Sequence, residues 1–197
     1  AETAQRFIRR IACNVTRLGT LVGDILSLNR LEEGADSFRR ERINPEKVLR
    51  RVVASLEPRA RERDIRIDFA AQAGTAHVTG NRTLLDSLFY NLVDNAIGYS
   101  DAGGRVGIRC ELQGDALAVI VEDDGCGFTE EERERIFERF YRAETSRSRD
   151  RGGSGLGLSI VKYAVQFHGG TVTASSAGPG CGASFTVLLP LATGSVD

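Results

Sequence analysis

The stretch NLVDNAIGYS, Asn91–Ser100, places two asparagines four residues apart in a segment with regularly spaced apolar residues. At this spacing Asn91 and Asn95 lie on one side of a helix. Amide oxygens are hard ligands that suit Mg²⁺, especially where phosphate and water oxygens complete its coordination. Taken alone, the pair is explained more simply by two polar residues on a solvated helix face. The neighbouring segments therefore decide what the two amides do.

The apolar pattern around this stretch predicts a chain that mixes helices with strands. The predicted helices cover residues 45–61, 81–99, 129–140 and 154–170. The predicted strands cover residues 65–70, 105–112, 116–123, 171–176 and 183–191. Thr129 with Glu132 three residues on is typical of a capping box at a helix start. Together these elements predict an α+β fold, a two-layer α/β sandwich with a largely antiparallel sheet covered on one face by helices.

Residues 1–33 predict one long helix that differs from the rest of the chain. Its apolar residues step by 3, 4, 3, 4 and 3 along Ile8, Ile11, Val15, Leu18, Val22 and Ile25. A 3.5-residue period is typical of a coiled coil or helical bundle, so this helix requires partner helices. We therefore divide the chain into a bundle helix (1–34), a linker (35–44), a main domain (45–191) and a tail (192–197).

Composition excludes several classes of protein. The 197 residues carry a net charge of −1 without a basic stripe, which argues against nucleic-acid binding. The four cysteines are scattered, with no C-x-x-C pair to suggest a zinc site. No apolar run is long enough to span a membrane, so we expect a cytoplasmic segment without direct membrane contact. The absence of methionine predicts a piece of a longer polypeptide, whose parent could be anchored in an inner membrane.

The segment VEDDGCGF, Val121–Phe128, ends a predicted strand with a carboxylate and two glycines. Asp123 can accept a hydrogen bond from an exocyclic amine such as that of adenine. Gly125 and Gly127 let the backbone approach a flat ring closely. A plain Asp-Gly turn is the alternative.

The segment RGGSGLGLSIVK, Arg151–Lys162, collects glycines where a helix begins. Free N–H groups and the helix dipole make such a start a site for anions. It is neither a Walker A loop nor a Rossmann fingerprint. The preceding FERFYRAETSRSRDRGG is rich in arginine and predicts a mobile lid whose cations meet a polyphosphate. An ordinary surface loop explains the lid segment equally well.

These blocks occur once each and in a fixed order, and the ordered set resembles the catalytic ATP-binding domain of sensor histidine kinases. That domain belongs to the superfamily shared with DNA gyrase, the heat-shock chaperone ATPases and MutL. The resemblance covers about Pro45 to Leu191, and the helix ending LSLNRLEEG resembles the second helix of the family's dimerisation and phosphotransfer hairpin. It implies ATP and Mg²⁺ as cofactors, a homodimer through the hairpin helices, and a response-regulator receiver domain as partner.

The resemblance also implies roles for individual residues. Asn91 and Asn95 would bind Mg²⁺, and Asp123 would bind the adenine amine. Asn91 and Arg142 would act in catalysis, Arg142 by reaching the terminal phosphate. Phe137 and Phe140 would anchor the lid. The other nucleotide contacts implied are Tyr99, Gly125, Gly127, Gly153, Gly155, Leu156 and Gly157.

Two departures from the family matter. Relatives often have a phosphate-binding lysine where this chain has Gly98, so we expect weaker nucleotide binding or a replacement by a lid cation such as Arg139 or Arg147. The phosphoacceptor histidine of the family stands on the first hairpin helix, which this chain lacks. His77 and His168 are interpreted as ordinary surface or capping residues.

The predicted reaction is transfer of the γ-phosphoryl group of Mg·ATP to a histidine on the missing helix, followed by relay to a response-regulator aspartate. Three alternatives remain. A serine kinase of the anti-sigma-factor type shares the ATP domain, but the bundle helix argues against it. ATP-driven clamps carry glutamate where Asn91 stands. A pseudokinase scaffold that signals through protein contacts is favoured only by Gly98.

Overall fold

The computed structural model describes residues 39–72, 74–142 and 154–192. The predicted bundle helix, Arg147, Gly153 and residues 193–197 lie outside this part of the chain. In chain order the elements are β1 (Glu41–Ile43), α1 (Pro45–Glu62), β2 (Arg66–Ala71), β3 (Val78–Gly80), α2 (Arg82–Tyr99), β4 (Arg105–Gln113), β5 (Ala116–Asp123), α3 (Glu130–Arg135), α4 (Gly157–Phe167), β6 (Thr171–Ser175) and β7 (Ala183–Pro190).

The main sheet has five strands in the order β2-β4-β5-β7-β6. Only the β2–β4 pair is parallel, and the other three pairs are antiparallel. The register places Asp123, the last residue of β5, opposite Val106 on one side and Ala183 on the other. This mixed, largely antiparallel sheet with helices confirms the predicted α+β sandwich.

Helix α2 lies at the centre of the helical layer, where it packs against both α1 and α4. Leu85, Leu88, Phe89 and Leu92 of α2 are fully buried. Burial of large apolar side chains is the main force that holds helices on a sheet. The core therefore fixes α2, and with it the Asn91–Ser100 stretch, against the sheet and both neighbouring helices.

A second, two-stranded sheet is formed by β1 and β3. Glu41 pairs with Gly80 and Ile43 with Val78, and the Ile43 side chain is only 1% exposed. The prediction of a linker over residues 35–44 is therefore wrong at Glu41–Ile43, which form a strand. Three residues are too few to show the alternation that identifies a strand, so only the contact with β3 reveals it.

Helix α3 begins as predicted but ends at Arg135, earlier than the sequence indicates. The capping box is confirmed: Glu132 N donates to Thr129 Oγ1 at 3.3 Å, and Thr129 N donates to Glu132 Oε2 at 2.8 Å. Beyond the helix the chain turns back, and Phe140 N donates to Gly155 O at 2.9 Å. Residues 136–140, which were predicted to continue the helix, are therefore not part of it.

Candidate functional site

A cleft lies between α2 and the start of α4, and it has two adjoining chambers. The larger has a volume of about 710 Å³ and the smaller about 80 Å³. Five residues line both chambers: Asn95, Tyr99, Ile136, Tyr141 and Leu158. The predicted residue Tyr99 is therefore at the junction, where one molecule can extend from one chamber into the other.

Asp123 supplies the carboxylate of the smaller chamber. Its Oδ1 accepts a hydrogen bond from Gly125 N at 2.9 Å. Burial raises the pKa of this carboxyl to about 6, although hydrogen bonds from the Gly125 and Ala183 backbones act in the opposite direction. At neutral pH the carboxylate is mostly ionised, in a cavity whose other walls are largely apolar. It can accept a hydrogen bond from an amine on a flat ring.

The two glycines after Asp123 are required by close backbone packing. A Cβ atom on Gly125 would overlap the Tyr99 carbonyl, and one on Gly127 would overlap the Gly178 carbonyl. Gly127 also has a φ of +59°, which favours glycine. These contacts fix the loop that carries the carboxylate to the end of α2.

The two asparagines of α2 face the start of α4. Asn91 Nδ2 donates to Ser87 O at 2.8 Å, and this bond orients the amide. A Cβ atom placed on Gly157 would lie 2.8 Å from Asn91 Oδ1 and 3.6 Å from Asn95 Nδ2. The glycine therefore keeps open the space between the amides and the helix start. The Asn91 Oδ1 atom at this position is an oxygen ligand of the kind that suits a phosphate-bound Mg²⁺.

The start of α4 has the character of an anion site. Leu156 is its N-cap, fully buried, and no side chain caps the first turn. Uncapped N–H groups and the positive end of the helix dipole favour a phosphate. Gly155 and Gly157 both line the larger chamber, beside Asn91.

The structure brings some of the predicted lid residues to the cleft and not others. Arg142 lines the smaller chamber with Asp123 rather than the larger chamber that holds Asn91. Phe137 packs edge-on against Phe185 with ring centroids 6.4 Å apart, so it anchors this segment to the sheet. Phe140 lines neither chamber, is 62% exposed, and contributes only its backbone to the contact with Gly155.

Several residues of the cleft were missed by sequence reasoning. Ala183 and Phe185 of β7 line the smaller chamber, and Arg51, Ser55 and Arg59 of α1 line the larger one. The sequence carries one signal for β7, the glycine at position 182 just before Ala183. In the structure Gly182 packs against the Asp123 backbone, where a Cβ atom would overlap the Asp123 carbonyl. No local pattern marks the α1 residues, since they reach the cleft only through helix packing.

The described residues contain neither a cluster of metal ligands nor a helix that could span a membrane. Within residues 39–72, 74–142 and 154–192 no three histidine, cysteine, aspartate or glutamate side chains are grouped to hold a metal ion. In the same ranges no helix has the length and apolar character required to cross a membrane.

A buried carboxylate, paired amides and an uncapped helix start, all set on an α/β sandwich, define a nucleotide-binding domain of the ATPase class. The family of histidine kinase-, DNA gyrase B-, and HSP90-like ATPases matches residues 80–193, and the chain belongs to this family.

Curated relatives of the chain are sensor histidine kinases. The sensor-like histidine kinase SenX3 of Mycobacterium tuberculosis is 36% identical over 190 residues, which cover 96% of this chain and 46% of SenX3. The signal transduction histidine-protein kinase/phosphatase MprB of a Mycobacterium species is 39% identical over 184 residues, which cover 91% of this chain and 34% of MprB. The chain thus spans at most about half the length of these relatives.

Solved structures of histidine kinases share the fold. A mycobacterial sensor histidine kinase MprB superposes with a TM-score of 0.68 at 30% identity, covering 78% of this chain and 98% of that structure. Full-length ShkA in complex with AMPPNP gives 0.76 at 29% identity, covering 91% and 37%. ThkA in complex with the response regulator TrrA gives 0.76 at 26% identity, covering 98% and 52%. The predicted resemblance to the sensor histidine kinases is confirmed.

Proposed function

We propose that this chain is the ATP-binding part of a sensor histidine kinase. It binds Mg·ATP, and the γ-phosphoryl group passes to a histidine on a hairpin helix outside the chain and then to an aspartate of a response regulator. The observation that carries this proposal is the continuous cleft from Asp123 to the uncapped start of α4. The two ends of this cleft differ in polarity, as the base and the phosphates of a nucleotide do.

The smaller chamber suits the adenine base. Its carboxylate accepts a hydrogen bond from the exocyclic amine, and the apolar side chains around it cover the ring faces. The large apolar side chains of this lining are Phe128, Ile136, Leu158 and Phe185. A base buried here directs its ribose towards Tyr99 and the larger chamber.

The larger chamber suits the phosphates. Asn91 and Asn95 would hold Mg²⁺ through their amide oxygens, with phosphate oxygens as further ligands. The metal would neutralise charge that develops during phosphoryl transfer. The N–H groups at the start of α4 would hold the phosphate chain for in-line attack, so this part of the protein acts by positioning.

The remaining parts of the proposal follow from the relatives. ThkA was solved with a response regulator, and this supports a receiver domain as the partner of the present chain. Residues 1–34 would be the second helix of a dimerisation hairpin, which pairs with a symmetry-related copy. Both statements concern regions outside the described domain.

Binding is tested by thermal unfolding of the chain with AMPPNP and Mg²⁺. A ligand at 100 times its Kd stabilises the native state by about 2.7 kcal/mol, which raises the Tm by several degrees. Asp123→Asn should lose most of this shift, because a neutral amide presents its N–H₂ group or a weaker acceptor to the adenine amine. An equal Tm shift in both proteins would contradict the assignment of the base site.

Transfer is tested on the protein that includes the proposed hairpin helix. Labelled ATP should give a protein phosphate that is lost in acid and stable in base, as a phosphorylated histidine is. Asn91→Ala should abolish the label while adenosine still binds. An acid-stable label would favour the serine kinase. Nucleotide binding without any label would favour the scaffold, the alternative consistent with the missing side chain at Gly98.

A further inference from the structure

One wall of the larger chamber comes from α1, and the proposed reaction assigns it no role. Arg51, Ser55 and Arg59 line the chamber from this helix. Their spacing of four residues places them on a single face of α1. This face lines the same chamber as the uncapped start of α4, and it carries two permanent positive charges.

Both arginines are tied to carboxylates of α2 that also line the chamber. Arg51 Nη2 donates to Asp86 at 2.5 and 2.8 Å, and Arg59 forms an ion pair with Asp94. The arginine side chains remain 57% and 44% exposed. A guanidinium has five N–H donors, so each can hold a carboxylate and still bind an anion in the cleft.

Arg59 is connected to the paired amides through its ion-pair partner. Its partner Asp94 stands directly before Asn95 and three residues after Asn91, and all three line the chamber. A phosphate at the amides would be repelled by this carboxylate if the guanidinium did not lie beside it.

Helix α2 contributes no positively charged side chain to the lining of the larger chamber. Residues 87, 90, 91, 94 and 95 of α2 line the larger chamber, and Gly98 continues this stripe by one turn. A Cβ atom on Gly98 would have no heavy atom within 4 Å, so the position is open space. Among the described residues, Arg51 and Arg59 are the positively charged members of this lining, and Arg139 lines neither chamber.

We propose that Arg59 binds the phosphates of the nucleotide, so that α1 supplies the cation that α2 lacks at Gly98. This inference rests on the proposed function, because its ligand is the polyphosphate of ATP. Asp94 holds the guanidinium beside Asn91 and Asn95, and it acts as a positioning residue. Binding of the polyphosphate adds a second acceptor to a guanidinium that is already oriented.

The decisive variant is Arg59→Met with Asp94→Asn in one protein. Removing both charges avoids leaving a buried carboxylate unpaired, which would weaken binding for another reason. The Kd values of Mg·AMPPNP and of adenosine are measured by NMR titration. We expect AMPPNP to bind about tenfold or more weakly, which is the range for hydrogen bonds to charged groups, and adenosine to bind unchanged.

The matched control changes another ion pair of the same helix. Arg61 and Glu57 form an i,i+4 pair that is 75% and 54% exposed and lies outside the cleft lining. Arg61→Met with Glu57→Gln should leave both Kd values unchanged. Gly98→Lys added to the Arg59→Met, Asp94→Asn protein should restore AMPPNP binding, because a lysine there has room to reach the same phosphates.

The other outcomes distinguish an error in the role of Arg59 from an error in the proposed function. Unchanged AMPPNP binding in the Arg59→Met, Asp94→Asn protein overturns the role of Arg59 but leaves the proposed function intact, provided that Asp123→Asn still loses nucleotide. Equal weakening of AMPPNP and adenosine also overturns it, since that pattern reports a disturbed fold. If the unaltered chain binds neither ligand, the proposed function itself is wrong.

Discussion

At the scale of single residues, the site depends on one carboxylate whose proton affinity is changed by its surroundings. Asp123 ends a central strand and is largely enclosed between Gly125, Ala183 and the apolar walls of the smaller chamber. Burial disfavours its charged form, and the backbone hydrogen bonds only partly compensate. The group therefore titrates close to the pH range in which a cell operates.

This pKa predicts that binding of the base depends on pH. The ionised form of Asp123 accepts the amine, so adenosine affinity should fall as the pH drops through about 6, by up to tenfold per unit. Adenosine carries no phosphate that titrates in this range. Its Kd measured by NMR at several pH values should follow the carboxylate, whereas Asp123→Asn should bind weakly at every pH. A flat profile for the unaltered protein would contradict the role of Asp123.

The same group affects stability in the opposite direction. Its folded pKa of about 6 lies above the ordinary value of 3.8, so the native state holds the proton more tightly than the unfolded chain. Its contribution to the free energy of unfolding therefore decreases as the pH rises from about 3.8 to about 6. A residue kept for binding thus lowers the stability of the ligand-free domain at neutral pH.

At the scale of elements, the two helices of the site are joined away from the cleft by His168, the C-cap of α4. Its Nδ1 lies 2.6 Å from Ala164 O, and its Nε2 accepts from Asn81 N at 3.1 Å. The proton of the neutral ring is therefore on Nδ1. Asn81 in turn caps α2, since its Oδ1 accepts from Leu84 N at 3.1 Å. The end of α4 and the start of α2 thus form one junction.

The junction predicts a pH-dependent stability that can be isolated. Burial is the main cause that lowers the pKa of His168, and the nearby Arg40 charge adds to it. The unfolded chain binds this proton more readily, so the free energy of unfolding should fall as the pH drops below about 6.5. His168→Gln should cost about 1–3 kcal/mol at neutral pH, and the cost should shrink in acid.

Urea unfolding at two pH values measures this effect. The contribution of Asp123 is present in both proteins and cancels in their difference. His77→Gln serves as the control, because His77 is partly buried and its Nδ1 makes no hydrogen bond among the described residues. A cost for His168→Gln that stays constant with pH would show that the histidine only fills space.

At the scale of the whole molecule, the strand before α1 is part of the domain. Ile43 is buried, β1 pairs with β3, and Arg40 Nη2 donates to Phe167 O at 3.0 Å while its guanidinium lies 4.7 Å from the Phe167 ring centroid. These contacts tie the incoming chain to the carboxyl end of α4. The chain that leads from residues 1–38 is therefore attached to a helix of the nucleotide cleft.

This attachment predicts where the domain can be shortened. A chain that begins at residue 44 should melt about 5–10 °C lower than one that begins at residue 39, because it loses burial of Ile43 and the bonds of Arg40. The Tm of the two shortened chains, measured by calorimetry without ligand, checks this. Equal values would mean that β1 contributes nothing to the stability of the domain.

The sequence by itself determined those features that repeat within a short stretch of chain. Helix α2 and strand β5 follow from their regular apolar spacing, and the capping box at Thr129 follows from two residues three apart. Asp123 and the glycines of the two loops could be identified because the chemistry of a nucleotide requires these residue types in this order. Such patterns depend on backbone geometry, which neighbouring residues share.

The tertiary structure alone decided which distant segments meet. The pairing of β1 with β3, the place of Ala183 and Phe185 beneath the carboxylate, and the arginine face of α1 all join residues far apart in the chain. The hydrogen bond from Phe140 N to Gly155 O is of the same kind. Close packing of the core determines these contacts. A short stretch of sequence does not indicate which distant segment will pack against it.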